Sequence, residues 1–190
     1  MTDASPLWTM WDLFQRGGTA EITDEGFDGV EILHSGPRLS IGGGQMVIGP
    51  FVALQIASRD SDASAADVLA RETSVGDVLG IASLGADIAV MGSRLAVRAL
   101  SSGASAVVTD GNLRDSGDFA RLPLVALANG TTPAGGRLPG TYTRGTGPVA
   151  MFGTEWHPGD WFAQDFDGAL RLTPEGVRSV AAKLGRPFTR

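Results

Sequence analysis

Arg114 and Asp115 stand side by side in the stretch TDGNLRD, residues 109–115, directly after the apolar run Ala106-Val107-Val108. A guanidinium can clasp a carboxylate through two parallel charge-assisted hydrogen bonds. A lone carboxylate is a hard oxygen ligand of the kind Mg²⁺ or Mn²⁺ takes. Neighbours on an extended loop point in different directions, so the two need not pair with each other. From the residues alone the pair is either a loop tip with two solvated charges or an anion-and-metal site at the end of a strand. A second candidate is Gly92-Ser93-Arg94-Leu95, which reads as a helix start. The amides of Arg94 and Leu95 would be exposed donors for an anion there, and Ser93 would cap the helix by accepting from a backbone amide.

Other polar residues are expected to be structural first. Asp110-Gly111 is a turn dipeptide before it is a source of carboxylate. His157 precedes Pro158 in a strand-end loop, and His34 is structural or exposed. Asp165 and Asp167 alternate in QDFDG and would share one strand face. Arg137 and Arg144, in a Gly-rich loop, either reach a neighbouring subunit or are solvent charges. Gly42-Gly43-Gly44 reads as a flexible turn, because neither G-x-G-x-x-G nor G-x-x-x-x-G-K-[ST] occurs. A serine hydrolase is disfavoured, since G-x-S-x-G is absent.

Composition narrows the chemistry. With 190 residues and 43% hydrophobic side chains the chain can bury one sizeable core, and a single domain over 1–190 is the simplest count. A net charge of −6 leaves no basic stripe to grip phosphates, so no nucleic-acid partner is expected. Cysteine is absent, which removes thiol nucleophiles and zinc-thiolate sites. Lys183 is the one lysine, and two histidines cannot build a His-rich metal cage. Oxygen ligands remain. Without a signal-like start or a long apolar stretch, a cytoplasmic protein with no membrane segment is expected.

The positioning elements follow from periodicity. Ser5-Pro6 opens an N-terminal helix, 6–16, that stops at Gly17-Gly18, and 19–29 reads as a second short helix. Residues 35–50 read as loop ahead of a strand at 51–57. Strand 76–82, a helix from Gly92 to Gly103 with Leu95, Ala96, Ala99 and Leu100 on one face, and strand 104–109 make a βαβ unit. Strand 123–127 follows, then a Gly/Pro/Thr-rich loop. VAMFGTEWHPGDWFAQDFDGALRL reads as two or three antiparallel strands with turns at 158–160 and 167–168. Thr173 caps a closing helix, 174–184.

In this order, GDVLGIASLGADIAVMGSRLAVRALSSGASAVVTDGNLRD, then LPLVALANGTTP, then PGDWFAQDFDGALRLTPE, the chain resembles the family of regulator of ribonuclease activity A and of 4-hydroxy-4-methyl-2-oxoglutarate/4-carboxy-4-hydroxy-2-oxoadipate aldolases. The resemblance runs from about Thr19 to Glu175 and rests on a DG-x-x-RD element and a later PGD-(x)4-D-x-DG element. It implies an α/β fold, a β/β/α swivelling-type domain with a βαβ unit and C-terminal antiparallel strands, assembled as a homotrimer or pair of trimers with sites between subunits. It implies a class II (metal-dependent) aldolase/decarboxylase, a lyase on pyruvate-type 2-oxo acids working through a metal-stabilised enolate. Arg114 would be the catalytic, substrate-polarising residue, Asp115 the ligand of Mg²⁺ or Mn²⁺, and Gly92, Ser93, Arg94 and Leu95 the loop holding the substrate carboxylate.

The chain departs from that family at one point. Family aldolases carry an acidic residue directly after the glycine at the helix start; here it is Ser93, which cannot act as a carboxylate base. Retro-aldol cleavage, which must move a hydroxyl proton, is put in question more than oxaloacetate decarboxylation, which needs no such base. A lyase on a more anionic oxo acid, favoured by Arg94, is a further reading. The non-catalytic alternative is a regulator binding a ribonuclease or another protein.

Overall fold

The runs VLGI, AVVT and VALA are apolar throughout or nearly so because they are covered on both faces, as parallel strands between layers are. The computed structural model describes residues 14, 17–42, 46–56, 73–135, 142–144 and 148–183. Its strands are β1 (Val30–Ile32), β2 (Leu39–Gly42), β3 (Val47–Ile56), β4 (Val78–Ile81), β5 (Ala89–Met91), β6 (Ala106–Thr109), β7 (Asn112–Leu113), β8 (Val125–Ala128), β9 (Gly130–Thr131), β10 (Tyr142–Arg144), β11 (Val149–Met151), β12 (Thr154–Trp156), β13 (Trp161–Gln164) and β14 (Ala169–Leu172). Its helices are α1 (17–24), α2 (Ser93–Ser101), α3 (Ser116–Phe119) and α4 (Pro174–Lys183). None of the described helices is long and apolar enough to cross a membrane.

A nine-stranded mixed sheet runs β1-β14-β13-β3-β4-β6-β8-β2, with β10 also on β3. Its centre, β3-β4-β6-β8, is parallel, with Phe51 opposite Val78, Val78 opposite Ala106 and Ala106 opposite Val125. Antiparallel strands close both ends: β2 on β8, and β13, β14 and β1 beyond β3. The strand β3 is long enough to take two antiparallel partners on one side, β13 along its first half and β10 along its second.

Each of the last three parallel strands runs on, within a few residues, into a strand of a second, smaller sheet. Thus β4 leads to β5, β6 to β7 and β8 to β9, and the small sheet is again parallel, in the order β5-β7-β9. The joints are tied. Asp110 Oδ1 accepts from the Ser83 amide at 2.7 Å, Asn129 Nδ2 donates to the Asp110 carbonyl at 2.8 Å, and the Asn129 amide donates to Gly111 O at 3.0 Å. Asp110-Gly111 is therefore a fixed bend between β6 and β7, with one oxygen of its carboxylate engaged in the joint.

Helices and a hairpin cover the two faces. Ala96 and Ala99 of α2 and Phe119 of α3 pack on Leu79, Ile81, Val107 and Ala126 from one side. From the other, the β11–β12 hairpin brings Val149, Met151 and Trp156 onto Phe51, Val78 and Phe162. Phe51 and Trp156 have ring centroids 4.1 Å apart. A third cluster joins Phe14, Ile22 of α1, Trp161 and Leu170 to Val177, Val180 and Ala181 of α4. This is the layered α/β arrangement expected from the sequence, including the β4–α2–β6 unit and the C-terminal antiparallel strands.

Helix ends behave as their residues dictate. Gly103, at φ 102°, ends α2, and the Ala104 amide donates back to the Ala99 carbonyl at 3.0 Å. Thr173 Oγ1 accepts from the Gly176 amide at 3.2 Å, the expected cap of α4. Several expectations need correction. Residues 35–50 are not simply loop, for β2 and the first part of β3 lie there. The described residues 17–24 are helical, so Gly17-Gly18 does not stop a helix as expected, and the second helix ends at 24 and not at 29. The strand carrying QDFDG stops at Gln164, so Asp165 and Asp167 lie in the turn and share no strand face. Asp165 instead organises that turn, its Oδ1 accepting from the amides of Asp167 and Gly168 at 2.9 and 3.3 Å. The N-terminal helix 6–16 lies outside the described residues except for Phe14, which is helical and fully buried, and Arg137 lies outside them too.

Candidate active site

Gly92 directly follows β5, Arg114 directly follows β7, and Thr132 directly follows β9. Three consecutive loops thus leave the same edge of the small sheet, the carboxyl end of parallel strands, where ligands of α/β proteins bind. The sheet's hydrogen bonding continues into them, with the Arg114 amide donating to Met91 O at 3.0 Å and the Thr132 amide to Leu113 O at 2.9 Å. These bonds hold the loops in register. Between them opens a groove of about 520 Å³, lined by Arg114, Asp115, Ser116, Gly117, Thr131, Thr132 and Pro133.

The adjacent charges do face a common hollow. Arg114 Nε lies 4.0 Å from Asp115 Oδ2, and the two side chains are 48% and 41% exposed. Asp115 is left-handed, φ 60° and ψ 37°, and its carbonyl opens α3 by accepting from the amides of Asp118 and Phe119. That backbone twist is uncommon away from glycine, and in Asp it is tolerated because the short polar side chain finds local partners. Here the partner is the start of α2: Asp115 Oδ2 accepts from the Ser93 amide at 3.1 Å and from Ser93 Oγ at 3.3 Å. A carboxylate at a helix N-terminus is also favoured by the helix dipole.

The helix start differs from expectation in two respects. Ser93 does not cap α2. Gly92 occupies the cap position with no side-chain bond, Ser93 is the first helical residue, and Asp115 does the capping from a different loop. The Leu95 amide is not an open donor either, since it bonds to the Gly92 carbonyl at 3.0 Å, and the Leu95 side chain packs against the core. Arg94 is exposed and is no part of the groove wall. The structure therefore brings together Gly92, Ser93, Arg114 and Asp115, engages the Leu95 amide within its own helix, and turns the Arg94 side chain to solvent.

Sequence reasoning missed the third wall. Thr131, Thr132 and Pro133 belong to a segment read only as a Gly/Pro/Thr-rich connection, and Gly135 beyond them bridges to Ala89 as a further parallel pairing. The available signal was the strand before it: three parallel strands in a row should place all three following loops on one edge.

Charge is distributed unevenly over the arginines. Arg171, half-buried, is committed, its Nε to Asp160 Oδ2 at 2.7 Å and its Nη1 to Glu31 Oε2 at 3.1 Å. Burial lowers the Arg171 pKa, but hydrogen bonds and attraction from both carboxylates outweigh this and raise it. Arg114, by contrast, donates no side-chain hydrogen bond to any of the described residues, Asp115 being its sole ionic neighbour among them. Its guanidinium fork is free for a planar anion.

The donor set also fits one kind of cation. Asp115 Oδ1 has no partner among the described residues, and among them no group of three or more His, Cys, Asp or Glu could encage a metal. A single free carboxylate oxygen beside an anion site suits Mg²⁺ or Mn²⁺, which keeps waters and completes its shell with substrate oxygens. It does not suit a closed protein cage.

Comparison with known proteins shows the family of the chain. The RraA-like family, described as Aldolase/RraA, matches residues 19–171. A Laribacter hongkongensis protein named "Putative 4-hydroxy-4-methyl-2-oxoglutarate aldolase" is 31% identical over 153 residues, 80% of this chain and 93% of its own. The structure of the RNA-processing inhibitor RraA from Thermus thermophilis is 29% identical with a TM-score of 0.67, covering 83% of this chain and 92% of that one. Streptomyces coelicolor RraAS2, described as an unusual member of the RNase ES inhibitor RraA family, shares the fold over 97% of this chain and 93% of its own, at a TM-score of 0.74 and 24% identity. With its match spanning both the DG-x-x-RD and PGD elements, the chain belongs to the RraA-like family, which includes aldolases and inhibitors of RNA processing.

Proposed function

We propose that the groove is a divalent-metal-dependent lyase site for pyruvate-type 2-oxo acids. The observation that carries this reading is the pairing, in one hollow, of a guanidinium on Arg114 and a half-committed carboxylate on Asp115, the guanidinium being uncommitted among the described residues. Arg114 binds the substrate carboxylate and presents N–H donors to oxygen that gains negative charge as the carbon–carbon bond breaks. Asp115, with Oδ2 fixed by Ser93, would hold Mg²⁺ or Mn²⁺ through its carboxylate. When bound, the cation supplies Lewis-acid polarisation of the oxo group.

The residues favour one reaction over the other. Retro-aldol cleavage must remove a proton from the substrate hydroxyl, and the described groove wall offers no carboxylate besides Asp115 and no histidine. Decarboxylation of oxaloacetate releases CO₂ with the bonding pair left on the remaining fragment as an enolate, which takes a proton from water to give pyruvate, so it needs stabilisation of that charge but no base to remove a hydroxyl proton. Ser93 in place of an acidic residue thus tilts the site toward decarboxylation. A homotrimer or pair of trimers, with a second subunit closing the open groove, is part of the same proposal. Light scattering on the purified chain measures it.

The second reading is a non-catalytic regulator of a ribonuclease or another protein. What favours it is the likeness to the Thermus thermophilis inhibitor together with Ser93. Pyruvate release from oxaloacetate and from a 4-hydroxy-2-oxo diacid, with Mg²⁺ or with chelator, separates the readings. The enzyme reading expects Mg²⁺-dependent release that Arg114→Ala abolishes. Turnover indifferent to both metal and Arg114 would overturn it, and absence of turnover alongside tight ribonuclease binding would establish the regulator.

A further inference from the structure

Although Arg114 and Asp115 are chain neighbours, different residues hold them. We infer that Gly135 and Ser93 are positioning residues that set the anion-binding and cation-binding halves of the site independently; this rests on the lyase reading above.

Gly135 lies against the face of Arg114. A Cβ built on Gly135 would overlap Arg114 Nη1 outright and stand 2.7 Å from Cζ and 3.4 Å from Nε, so that all three of its nearest heavy atoms belong to Arg114. The guanidinium thus rests against bare backbone at the bridge between Ala89 and Gly135, and its location depends on the missing side chain. Gly135 has no positive φ, so alanine there is not strained by the backbone. What must yield is the far end of a flexible arginine. Gly135→Ala therefore displaces Arg114 and leaves Asp115 where it is.

Ser93 acts on the other half alone. Its amide and hydroxyl both donate to Asp115 Oδ2, at 3.1 and 3.3 Å, and neither bonds to Arg114. Two donors on one oxygen favour a single rotamer of a carboxylate that is otherwise 41% exposed, leaving Oδ1 as the oxygen available to a cation. Ser93→Ala keeps the amide bond and removes the hydroxyl. The first position of a helix accepts alanine, so the fold is retained.

The test is a double dissociation read by binding rather than turnover. Mn²⁺ alone is titrated by the loss of its free electron-paramagnetic signal, and pyruvate alone, in chelator, by ligand-observed NMR. Each is measured on the full chain, on both variants and on Gly168→Ala, whose added Cβ meets nothing within 4 Å. Gly135→Ala is expected to weaken pyruvate about tenfold by unseating a charge-assisted pair, with Mn²⁺ changed less than twofold. Ser93→Ala is expected to weaken Mn²⁺ about three- to fivefold, one hydrogen bond's worth, with pyruvate unchanged, and Ser93→Thr to restore it. Gly168→Ala should match wild type throughout. If wild type binds both probes but either variant lowers both equally, or neither, independent positioning is overturned while the site stands. If wild type binds neither probe, the lyase reading falls and the inference with it.

Discussion

Thr19 and Asp165, 146 positions apart in the chain, are joined twice: the Thr19 amide donates to Asp165 Oδ2 at 2.6 Å and Thr19 Oγ1 donates to Oδ1 at 2.7 Å. These bonds lash α1 to the turn between β13 and β14. Burial pushes the Asp165 pKa up, yet the bonds from Thr19, Asp167 and Gly168 outweigh it and hold the carboxyl below its ordinary value. A depressed folded-state pKa gives stability that is present above the unfolded value and lost as pH falls through the folded one. Asp165→Ala should therefore cost about 2 kcal/mol or more at pH 7, the worth of hydrogen bonds to a buried charge, and progressively less below about pH 4. Urea denaturation of both proteins at pH 7 and pH 3 measures this; an equal deficit at both would contradict it.

Arg171 neutralises Asp160, whose side chain is 1% exposed. Removing the guanidinium strands a buried carboxylate, and Arg171→Met should destabilise by about 3–5 kcal/mol. Glu31, half exposed on the same guanidinium, matters less, and Glu31→Gln should cost under about 1 kcal/mol. Thermal unfolding of the two variants gives the ranking, and the reverse order would show that Asp160 is compensated elsewhere.

Gly92 touches both halves of the site. A Cβ there would stand 2.7 Å from Asp115 Oδ2 and 3.0 Å from Arg114 Nε. Gly92→Ala should impair pyruvate and Mn²⁺ binding together, each about tenfold if a charge-assisted contact is lost on either side. Selective loss of one ligand would place the two groups further apart in function than in space.

Arg114→Lys keeps the charge and loses the fork. With the planar pair of donors gone, KM for a 2-oxo acid should rise about tenfold or more, and Arg114→Ala should lower kcat/KM further. Steady-state kinetics with Mg²⁺ decides; equal activity of lysine and arginine would mean that a point charge suffices.

Phe162 is fully buried and stacks 5.8 Å from Phe51, beside Trp156. Phe162→Ala removes the centre of that cluster and should cost about 3–5 kcal/mol, visible as an early urea midpoint with unchanged slope.

Much of the architecture was legible because its elements are locally self-declaring. The apolar runs of β4, β6 and β8 and the 3.6-residue stripe of α2, ended by Gly103, need no tertiary knowledge. Arg114 and Asp115 were legible as a pair because their types are chemically suggestive. Short strands such as β5, β7 and β9 were not, since two or three residues carry no period, and their sheet exists through register inherited from the larger one. The role of Ser93 was misjudged for a related reason. Local rules made it a cap for its own helix, whereas the long-range bond to Asp115 takes its donors. Gly135 was silent because its contribution is a missing side chain.

The double pairing along one side of β3 has a bearing on biosynthesis. Both β13 and β10 come from late in the chain, so a ribosome that has already delivered β3 leaves that border without its mates until β10 and then β13 emerge. During that interval the nascent protein carries an unprotected β-rim able to recruit a sister chain. A translational stall or premature stop between β9 and β10 should therefore yield clumped fragments instead of a shorter, soluble domain.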